Sequence, residues 1–139
     1  MVDGCLFCSI VAGETPAVIV LDTPEVVAFL DHRPLFPGHT LVAPRRHVET
    51  LRDLDDATRD VLFAEVQRVA TAVQDAMGAE GSFVAMNNVV SQSVPHLHVH
   101  VAPRRRKDGL RGFFWPRSKY ASDAEAAAVA EHLRNGVIL

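Results

Sequence analysis

The chain has no long apolar run, no strong excess of charge of either sign and only two cysteines. No stretch approaches the roughly 20 apolar residues that a membrane-spanning helix needs. The 14 Lys and Arg residues and 17 Asp and Glu residues leave a net charge of -3, so composition indicates neither a membrane nor a nucleic-acid polymer as partner. The opening segment, MVDGCLFCSIVAGE, lacks the basic start and apolar core of a secretion signal. We therefore expect a cytoplasmic protein.

Internal repeats, low-complexity tracts and linkers long enough to divide the chain are also absent. The 139 residues are the size of one domain and can bury a sizeable core. Hydrophobic residues make up 48% of the chain and charged residues 22%, as in an ordinary globular protein. We predict a single domain over residues 1–139.

Short apolar runs and two helical patterns predict the fold class. The predicted strands cover residues 17–22, 26–31, 40–43, 82–87 and 96–103. A long helix over 55–78 presents a periodic apolar face, made of Leu62, Val66, Val69, Val73 and Met77. A second helix over 122–136 begins with a capping box, Ser122 and Glu125, and ends at Gly136. Because strands and helices do not alternate regularly, we predict an α+β fold with a five-stranded antiparallel sheet, one long central helix and a C-terminal helix.

Three histidines, His96, His98 and His100, alternate with apolar residues in HLHVHVAP. A strand sends successive side chains to opposite faces, so the three imidazoles share one face at a spacing of roughly 6 to 7 Å. The residues alone leave three interpretations of this strand. It is a surface strand that happens to carry histidines, a metal cage, or a catalytic strand in which one imidazole attacks while its neighbours set its tautomer.

The order of the motifs resembles the histidine triad (HIT) superfamily of nucleotide hydrolases and transferases, in a zinc-binding bacterial-type form. HLHVHVA fits the pattern His-φ-His-φ-His-φ-φ, where φ is apolar. Three further segments resemble the family's N-terminal segment, central hairpin and active-site strand, in that order: CLFCSIVAGETPAVIVLD, VAFLDHRPLFPGHTLVAPRRHVETL and SQSVPHLHVHVAPR. The resemblance covers most of the chain and implies a HIT-like fold.

The resemblance implies an enzyme that works by covalent catalysis. His98 would attack the α-phosphorus of a dinucleoside polyphosphate, such as diadenosine tetraphosphate, or of a nucleoside phosphoramidate. A nucleotidyl-histidine forms, and water then releases the nucleoside monophosphate. Neutral imidazole is a good nucleophile near pH 7, and the covalent route replaces one hard displacement with two easier ones.

The resemblance also implies the residues that bind substrate. His100, Gln92 and Ser93 would hold the phosphate oxygens, and His39 would orient the triad. Asp31 matches the position that binds the ribose hydroxyls, although it could also cap a hairpin turn. Two more matches, Asn87 and Asn88, would supply polar contacts before the triad. The last matches would form apolar walls around the base, although they could equally be core residues: Leu6, Phe7, Ile10 and Phe29.

Two segments beside the triad depart from the family or lie outside its motifs. The preceding loop, usually glycine-rich, reads MNNVVSQSV, with Ser91 in the usual glycine place. Glycine eases the close approach of backbone to phosphate, so the phosphate contacts of this loop are left open. A basic run follows the triad and could attract polyphosphate or be solvated: Arg104, Arg105, Arg106 and Lys107. Aromatics then cluster, either packing the C-terminal helix or covering a base: Phe113, Phe114, Trp115 and Tyr120.

Cys5 and Cys8 form a CxxC pair, which has the spacing of half a zinc site. Buried thiols and a redox pair are the alternatives. In metal-binding HIT proteins the resemblance supplies the other half, here His47 and His96, as a closed Cys₂His₂ site of the structural zinc type. His96 would then hold metal and leave His98 free to attack.

The resemblance implies a homodimer as well, since HIT proteins commonly pair their sheets. Two other functions remain open beside the hydrolase. One is a nucleotide-binding regulatory protein whose catalysis is incidental. The other is a metalloenzyme that uses all three triad histidines as ligands.

Overall fold

The computed structural model describes residues 2–111 and 117–137. The chain divides into two compact units, Met1–Asp108 and Gly109–Leu139. Within the described residues, the first unit holds the sheet and two helices, and the second unit holds one helix.

The first unit contains the predicted five-stranded antiparallel sheet. Its strands follow the order β1-β2-β3-β5-β4, and each neighbouring pair is antiparallel. The strands are β1 (Ile19–Asp22), β2 (Val26–Leu30), β3 (Thr40–Pro44), β4 (Gly81–Ala85) and β5 (Val99–Arg104).

The last strand begins three residues later than predicted. The main chain before it bonds elsewhere: Leu97 N–H donates to the Val48 carbonyl at 2.6 Å, and His96 N–H donates to the Val94 carbonyl at 2.8 Å. These bonds draw the segment away from the sheet. Two of the three triad histidines therefore lie in the entry to β5, and only His100 lies within it.

The helices of this unit are α1 (Leu6–Val11) and α2 (Asp56–Ala76). Asp55 caps the long helix α2, accepting from Thr58 N–H at 2.7 Å, and a short 3-10 turn, Leu51–Asp53, precedes the helix. The six-residue α1 was not predicted, because one and a half turns are too short to display a helical period. Its cap is a cysteine: Cys5 Sγ accepts from Cys8 N–H at 3.3 Å.

The helix α2 covers one face of the sheet. Four residues of its predicted apolar face are buried against inward residues of β2, β3 and β5, which alternate with residues of the opposite face as a strand requires. The fifth, Met77, is the residue just after the helix and is only partly buried. This core consists of Val26, Ala28, Val42, Leu62, Val66, Val69, Val73, Leu97, Val99 and Val101.

The N-terminal segment packs on the other face of the sheet. There it forms a second buried cluster with β2 and β3, made of Cys5, Phe7, Cys8, Val27, Phe29, Leu41 and Ala43. The two central strands β2 and β3 are therefore buried on both sides. His98 and His100, which alternate with the α2-facing residues Val99 and Val101, belong to the face that carries the N-terminal segment.

The second unit contains the predicted C-terminal helix, α3 (Asp123–Gly136). Ser122 caps it, accepting from Glu125 N–H at 3.1 Å. Tyr120, just before the helix, is exposed. The rest of the predicted aromatic cluster, Phe113, Phe114 and Trp115, lies outside the described residues. Among the described helices, none has the length and apolar character to cross a membrane.

Gly38, which precedes the predicted site residue His39, is required by both its backbone and its surroundings. Its φ is +100°, and a Cβ there would lie 2.7 Å from Met77 Cγ. We expect Gly38→Ala to lower the free energy of unfolding by about 2 kcal/mol, through left-handed strain and the collision. Urea denaturation measures this loss. Gly81→Ala is the control, because a Cβ at Gly81 meets nothing within 4 Å; equal losses in both variants would contradict the argument.

Candidate active site and metal centre

A cavity of about 550 Å³ opens on the sheet face that carries the N-terminal segment. Its polar lining includes His98, His100, Asp31 and Ser93. Its apolar lining includes four residues that the sequence predicts around a base: Leu6, Phe7, Ile10 and Phe29. The fold thus brings together residues from α1, β2, β5 and the loop before β5.

His98 is buried, and its tautomer follows from one hydrogen bond. Its Nδ1 lies 2.7 Å from the main-chain carbonyl oxygen of His96. Because a carbonyl can only accept, His98 Nδ1 carries the proton and Nε2 carries the lone pair. Burial lowers the pKa of His98, with the carbonyl bond partly opposing that effect. The imidazole is therefore neutral near pH 7, with Nε2 unprotonated and able to act as a nucleophile.

A second chain of hydrogen bonds sets the tautomer of His100. Leu35 N–H donates to His39 Nδ1 at 3.0 Å, so neutral His39 carries its proton on Nε2. That nitrogen lies 2.9 Å from His100 Nδ1, which must then accept. His100 is left with a proton on Nε2, a donor beside the lone pair of His98.

Both histidines of this chain are held neutral. Burial lowers the pKa of His39. Burial also lowers the pKa of His100 to about 4, helped by the positive charge that His98 and His39 would carry if protonated. The chain therefore offers hydrogen-bond donors without a fixed positive charge.

Asp31 fills the turn-capping role considered for it and also reaches the cavity. Its Oδ1 accepts from Arg33 N–H at 2.9 Å, which caps the turn after β2. The residue also lines the cavity, with Oδ2 3.8 Å from His39 Nε2. Asp31, His39 and His100 lie close enough to hold a metal ion, but His39 Nε2 already carries the proton that it donates to His100, so the two histidines form a hydrogen-bonded pair with the Asp31 carboxylate nearby.

Cys5, Cys8, His47 and His96 form a four-residue cluster whose ligand atoms lie within 4.8 Å of one another. Cys5 Sγ lies 3.5 Å from His96 Nδ1, Cys8 Sγ lies 3.6 Å from the same nitrogen, and Cys8 Sγ lies 3.4 Å from His47 Nδ1. Around a tetrahedral zinc ion, ordinary Zn–S and Zn–N bond lengths place sulfur and nitrogen about 3.5 Å apart. These three distances match those of a Cys₂His₂ zinc site.

The surroundings of His96 also suit a metal ligand. Its Nε2 donates to the Pro44 carbonyl at 2.7 Å, which leaves the lone pair on Nδ1, facing the sulfurs. A backbone acceptor on the second ring nitrogen is the usual support of a metal-bound histidine. Burial raises the pKa of the Cys5 thiol, so a cation bound there would have to displace the thiol proton.

A model of the HIT domain family matches residues 12–107, well over half of the chain. This protein belongs to the HIT family. It is 33% identical over 135 residues to the adenosine 5'-monophosphoramidase hnt1 of Schizosaccharomyces pombe, covering 96% of this chain and 98% of that protein.

Two solved structures of the family resemble this HIT protein closely. A HIT family member from Bacillus subtilis gives a TM-score of 0.90 at 29% identity, covering 99% of each chain. A zinc-bound histidine triad family protein from Mycobacterium smegmatis gives a TM-score of 0.72 at 33% identity, covering 95% of this chain and 97% of that one. The α+β fold predicted from the sequence is thereby confirmed.

Three predicted substrate contacts of this HIT protein lie apart from the residues described as lining the cavity. Asn88 Oδ1 accepts from Leu51 N–H at 2.7 Å, and Asn87 Nδ2 donates to the Ser91 carbonyl at 3.2 Å. The third, Gln92, makes two hydrogen bonds to the main chain. Only Ser93 of this loop's predicted contacts lines the cavity.

The three arginines of the basic run after the triad bond to nearby groups. Arg104 Nε lies 2.6 Å from Asp108 Oδ2, Arg106 pairs with Glu80, and a guanidinium N–H of Arg105 donates to a main-chain carbonyl at the end of α2. These partners favour a local structural role for the three arginines over the attraction of polyphosphate.

Sequence reasoning missed several residues of the cavity. The segment between α1 and β1 contributes Thr15, Pro16, Ala17 and Val18, and further residues come from other segments: Leu30, His32, Leu41 and Val94. No motif distinguishes them, because they reach the cavity only when the N-terminal segment folds over the sheet. Leu35 was also missed, since its contribution is a main-chain N–H.

We expect one zinc ion per chain, removed by Cys5→Ala and retained by His98→Ala. Cys5 supplies a ligand sulfur, whereas His98 lies outside the four-residue cluster. Inductively coupled plasma mass spectrometry on gel-filtered protein measures the zinc content. Loss of zinc from His98→Ala would contradict the separation of His96 from the rest of the triad.

Acid should destabilise the protein through His100. Its pKa is about 4 in the folded protein against an ordinary value of 6.5, so the unfolded chain binds more protons between these values. The free energy of unfolding therefore falls as the pH drops through this window. His100→Asn should lose less stability than the wild type between about pH 7 and about pH 4.5 in urea titrations. Both proteins keep the same metal cluster, and equal losses would refute the prediction.

Proposed function

We propose that this protein is a nucleotide hydrolase that attacks the α-phosphorus of a nucleoside 5'-phosphoramidate with His98. The observation that carries the proposal is the unprotonated Nε2 of a buried, neutral His98 in the lining of a 550 Å³ cavity. Membership of the HIT family and the likeness to a monophosphoramidase support the same reaction class.

The proposed reaction has two displacements at phosphorus. In the first, the Nε2 lone pair of His98 forms an N–P bond and the bond from phosphorus to the leaving amine breaks; the amine takes a proton from solvent and departs. In the second, water attacks phosphorus and the bond to His98 breaks; the water gives one proton back to solvent, and nucleoside monophosphate is released. The intermediate carries a cationic imidazolium, which makes His98 a good leaving group. The main-chain carbonyl of His96 stabilises that cation through Nδ1–H.

The phosphate oxygens need donors that are already in place. His100 supplies one from Nε2, because its Nδ1 is occupied by His39. Ser93 supplies a hydroxyl from the cavity lining. Both donors are neutral, so they stabilise developing charge without holding the product phosphate through a full ion pair.

The nucleoside would occupy the apolar part of the cavity. Phe7 and Phe29 meet edge to face, with ring centroids 5.2 Å apart, and Phe7 also packs against the His98 ring at 4.9 Å. A base on this wall would stand next to the nucleophile. Asp31, at the rim of the wall, offers carboxylate oxygens to ribose hydroxyls.

An amine is favoured over a polyphosphate as the leaving group. A dinucleoside polyphosphate would bring several further negative charges, and the three arginines that follow the triad are already paired with neighbouring groups. Diadenosine tetraphosphate is therefore the comparison substrate, and we expect a lower kcat/KM for it than for adenosine 5'-phosphoramidate.

Zinc would be held by Cys5, Cys8, His47 and His96, and its role there is structural, because four protein ligands leave no open position for substrate. His96 cannot take part in phosphorus chemistry while its Nδ1 faces the metal and its Nε2 is bonded to Pro44. The homodimer that the family resemblance implies stays a prediction.

Trapping the covalent intermediate tests the proposal. Rapid mixing with adenosine 5'-phosphoramidate, a denaturing quench and peptide mass spectrometry should locate an adenylyl group on His98. His98→Ala should lose at least about 1000-fold in kcat while still binding adenosine monophosphate. His132→Ala, which changes an exposed histidine of α3, is the matched control and should keep full activity. An adenylyl group on any other residue, or unchanged turnover in His98→Ala, would refute the mechanism.

A further inference from the structure

The loop before the triad, residues 87–93, contains two residues in the left-handed region of backbone space. Val89 has a φ of 67° and Ser91 a φ of 62°. Residues other than glycine rarely adopt this backbone conformation, and a β-branched residue such as valine is among the least suited to it. Other interactions must therefore hold the loop in this shape.

Side-chain packing does not supply that hold. Val89 and its neighbour Val90 are 74% and 79% exposed. Their apolar groups point into solvent and bury almost nothing. The conformation must come from hydrogen bonds within the loop and to the segments beside it.

Both ends of the Gln92 side chain are engaged in such bonds. Its Oε1 accepts from Val89 N–H at 3.0 Å, and its Nε2 donates to the Glu49 carbonyl at 2.7 Å. A main-chain N–H can only donate and a main-chain carbonyl can only accept, so the partners fix which end of the amide is oxygen. Gln92 thus links a left-handed residue of the loop to the segment after β3.

The two asparagines strengthen the same connection. Asn88 Oδ1 accepts from Leu51 N–H at 2.7 Å, across to the segment that follows the metal ligand His47. Asn87 Nδ2 donates to the carbonyl of the left-handed Ser91 at 3.2 Å. Three side-chain amides therefore hold the loop in a backbone conformation that is strained for Val89 and Ser91 and would be unstrained for glycine.

We propose that Gln92 is a positioning residue: its carboxamide clamps the strained loop to residue 49 and so places Ser93 at the cavity. Gln92 acts through the loop and through Ser93, and it makes no contact with the phosphate. The kinetic part of this inference rests on the proposed hydrolase function. The structural part, that Gln92 holds the Val89 amide, does not.

Amide hydrogen exchange on the full chain without substrate tests the clamp directly. Gln92→Ala should raise the exchange rate of the Val89 N–H by about tenfold or more, because that N–H loses its acceptor and the loop opens locally. An amide of similar protection within α2 is the internal reference and should stay unchanged. Unaltered exchange at Val89 would overturn the proposal, whatever the protein's activity.

Rescue by glycine separates positioning from phosphate contact. Gln92→Ala should lower kcat/KM by about tenfold, and adding Val89→Gly and Ser91→Gly should restore most of it, since glycine adopts positive φ without strain. Val90→Gly is the matched control: it adds a glycine to the same loop at a residue without positive φ and should not rescue. A direct phosphate ligand could not be rescued by any of these glycines, so a failure of Val89→Gly with Ser91→Gly would overturn the proposal.

A second variant and a double-mutant cycle complete the test. Gln92→Glu keeps an acceptor for Val89 N–H but sets a carboxylate against the Glu49 carbonyl, so the same loss and the same rescue are expected if Gln92→Ala does not fold. Gln92→Ala combined with Ser93→Ala should be no worse than the poorer single variant, because both act through one hydroxyl. Fully additive losses would contradict the shared route. Failure of the hydrolase proposal would appear instead as unchanged turnover in His98→Ala.

Discussion

The hydrogen bond from His98 Nδ1–H to the His96 carbonyl, at 2.7 Å, is the contact on which the rest of the site depends. It decides that the lone pair of His98 lies on Nε2. The bond keeps its geometry only if His96 is itself held in place. Contacts at both nitrogens of the His96 ring do this. Nδ1 of its ring faces the two cysteine sulfurs and Nε2 donates to the Pro44 carbonyl. One residue thus joins the metal centre, the sheet and the nucleophile.

The metal centre explains how a short N-terminal segment becomes part of the cavity. Isolated helices as short as α1, Leu6–Val11, are not stable in water. Cys5 and Cys8 fasten its first turn to residues beyond β3 and before β5, and Phe7 then packs between Phe29 and the triad rings. A structural ion held by this cluster would therefore build one wall of the proposed catalytic pocket without taking part in its chemistry.

Neutrality is the second constraint on the site. His39, His98 and His100 are all buried far enough for their pKa values to fall. A nucleophilic imidazole must be unprotonated, so burial favours the proposed chemistry. The same lowering of the pKa values reduces stability in acid, because the unfolded chain binds protons at these histidines at pH values where the folded chain does not. Perturbed titration and the proposed chemistry coincide at this site for one physical reason, which is removal of the rings from water.

Local pattern was enough to predict much of this molecule. Alternation and helical spacing predicted the five strands and the buried face of α2, and the motif order indicated the HIT family and the metal residues. Pattern could not predict α1, the start of β5 at Val99, or the partners of Gln92 and of the arginines that follow the triad. Those features depend on contacts between residues far apart in the chain. The Val48 carbonyl accepts from Leu97 N–H, the Glu49 carbonyl accepts from the Gln92 side-chain amide, and the Glu80 carboxylate pairs with the Arg106 guanidinium. Residue types and spacing decide which groups are available for chemistry. Only the folded backbone, by supplying a carbonyl to one ring and an N–H to another, decides which nitrogen of each histidine carries the proton.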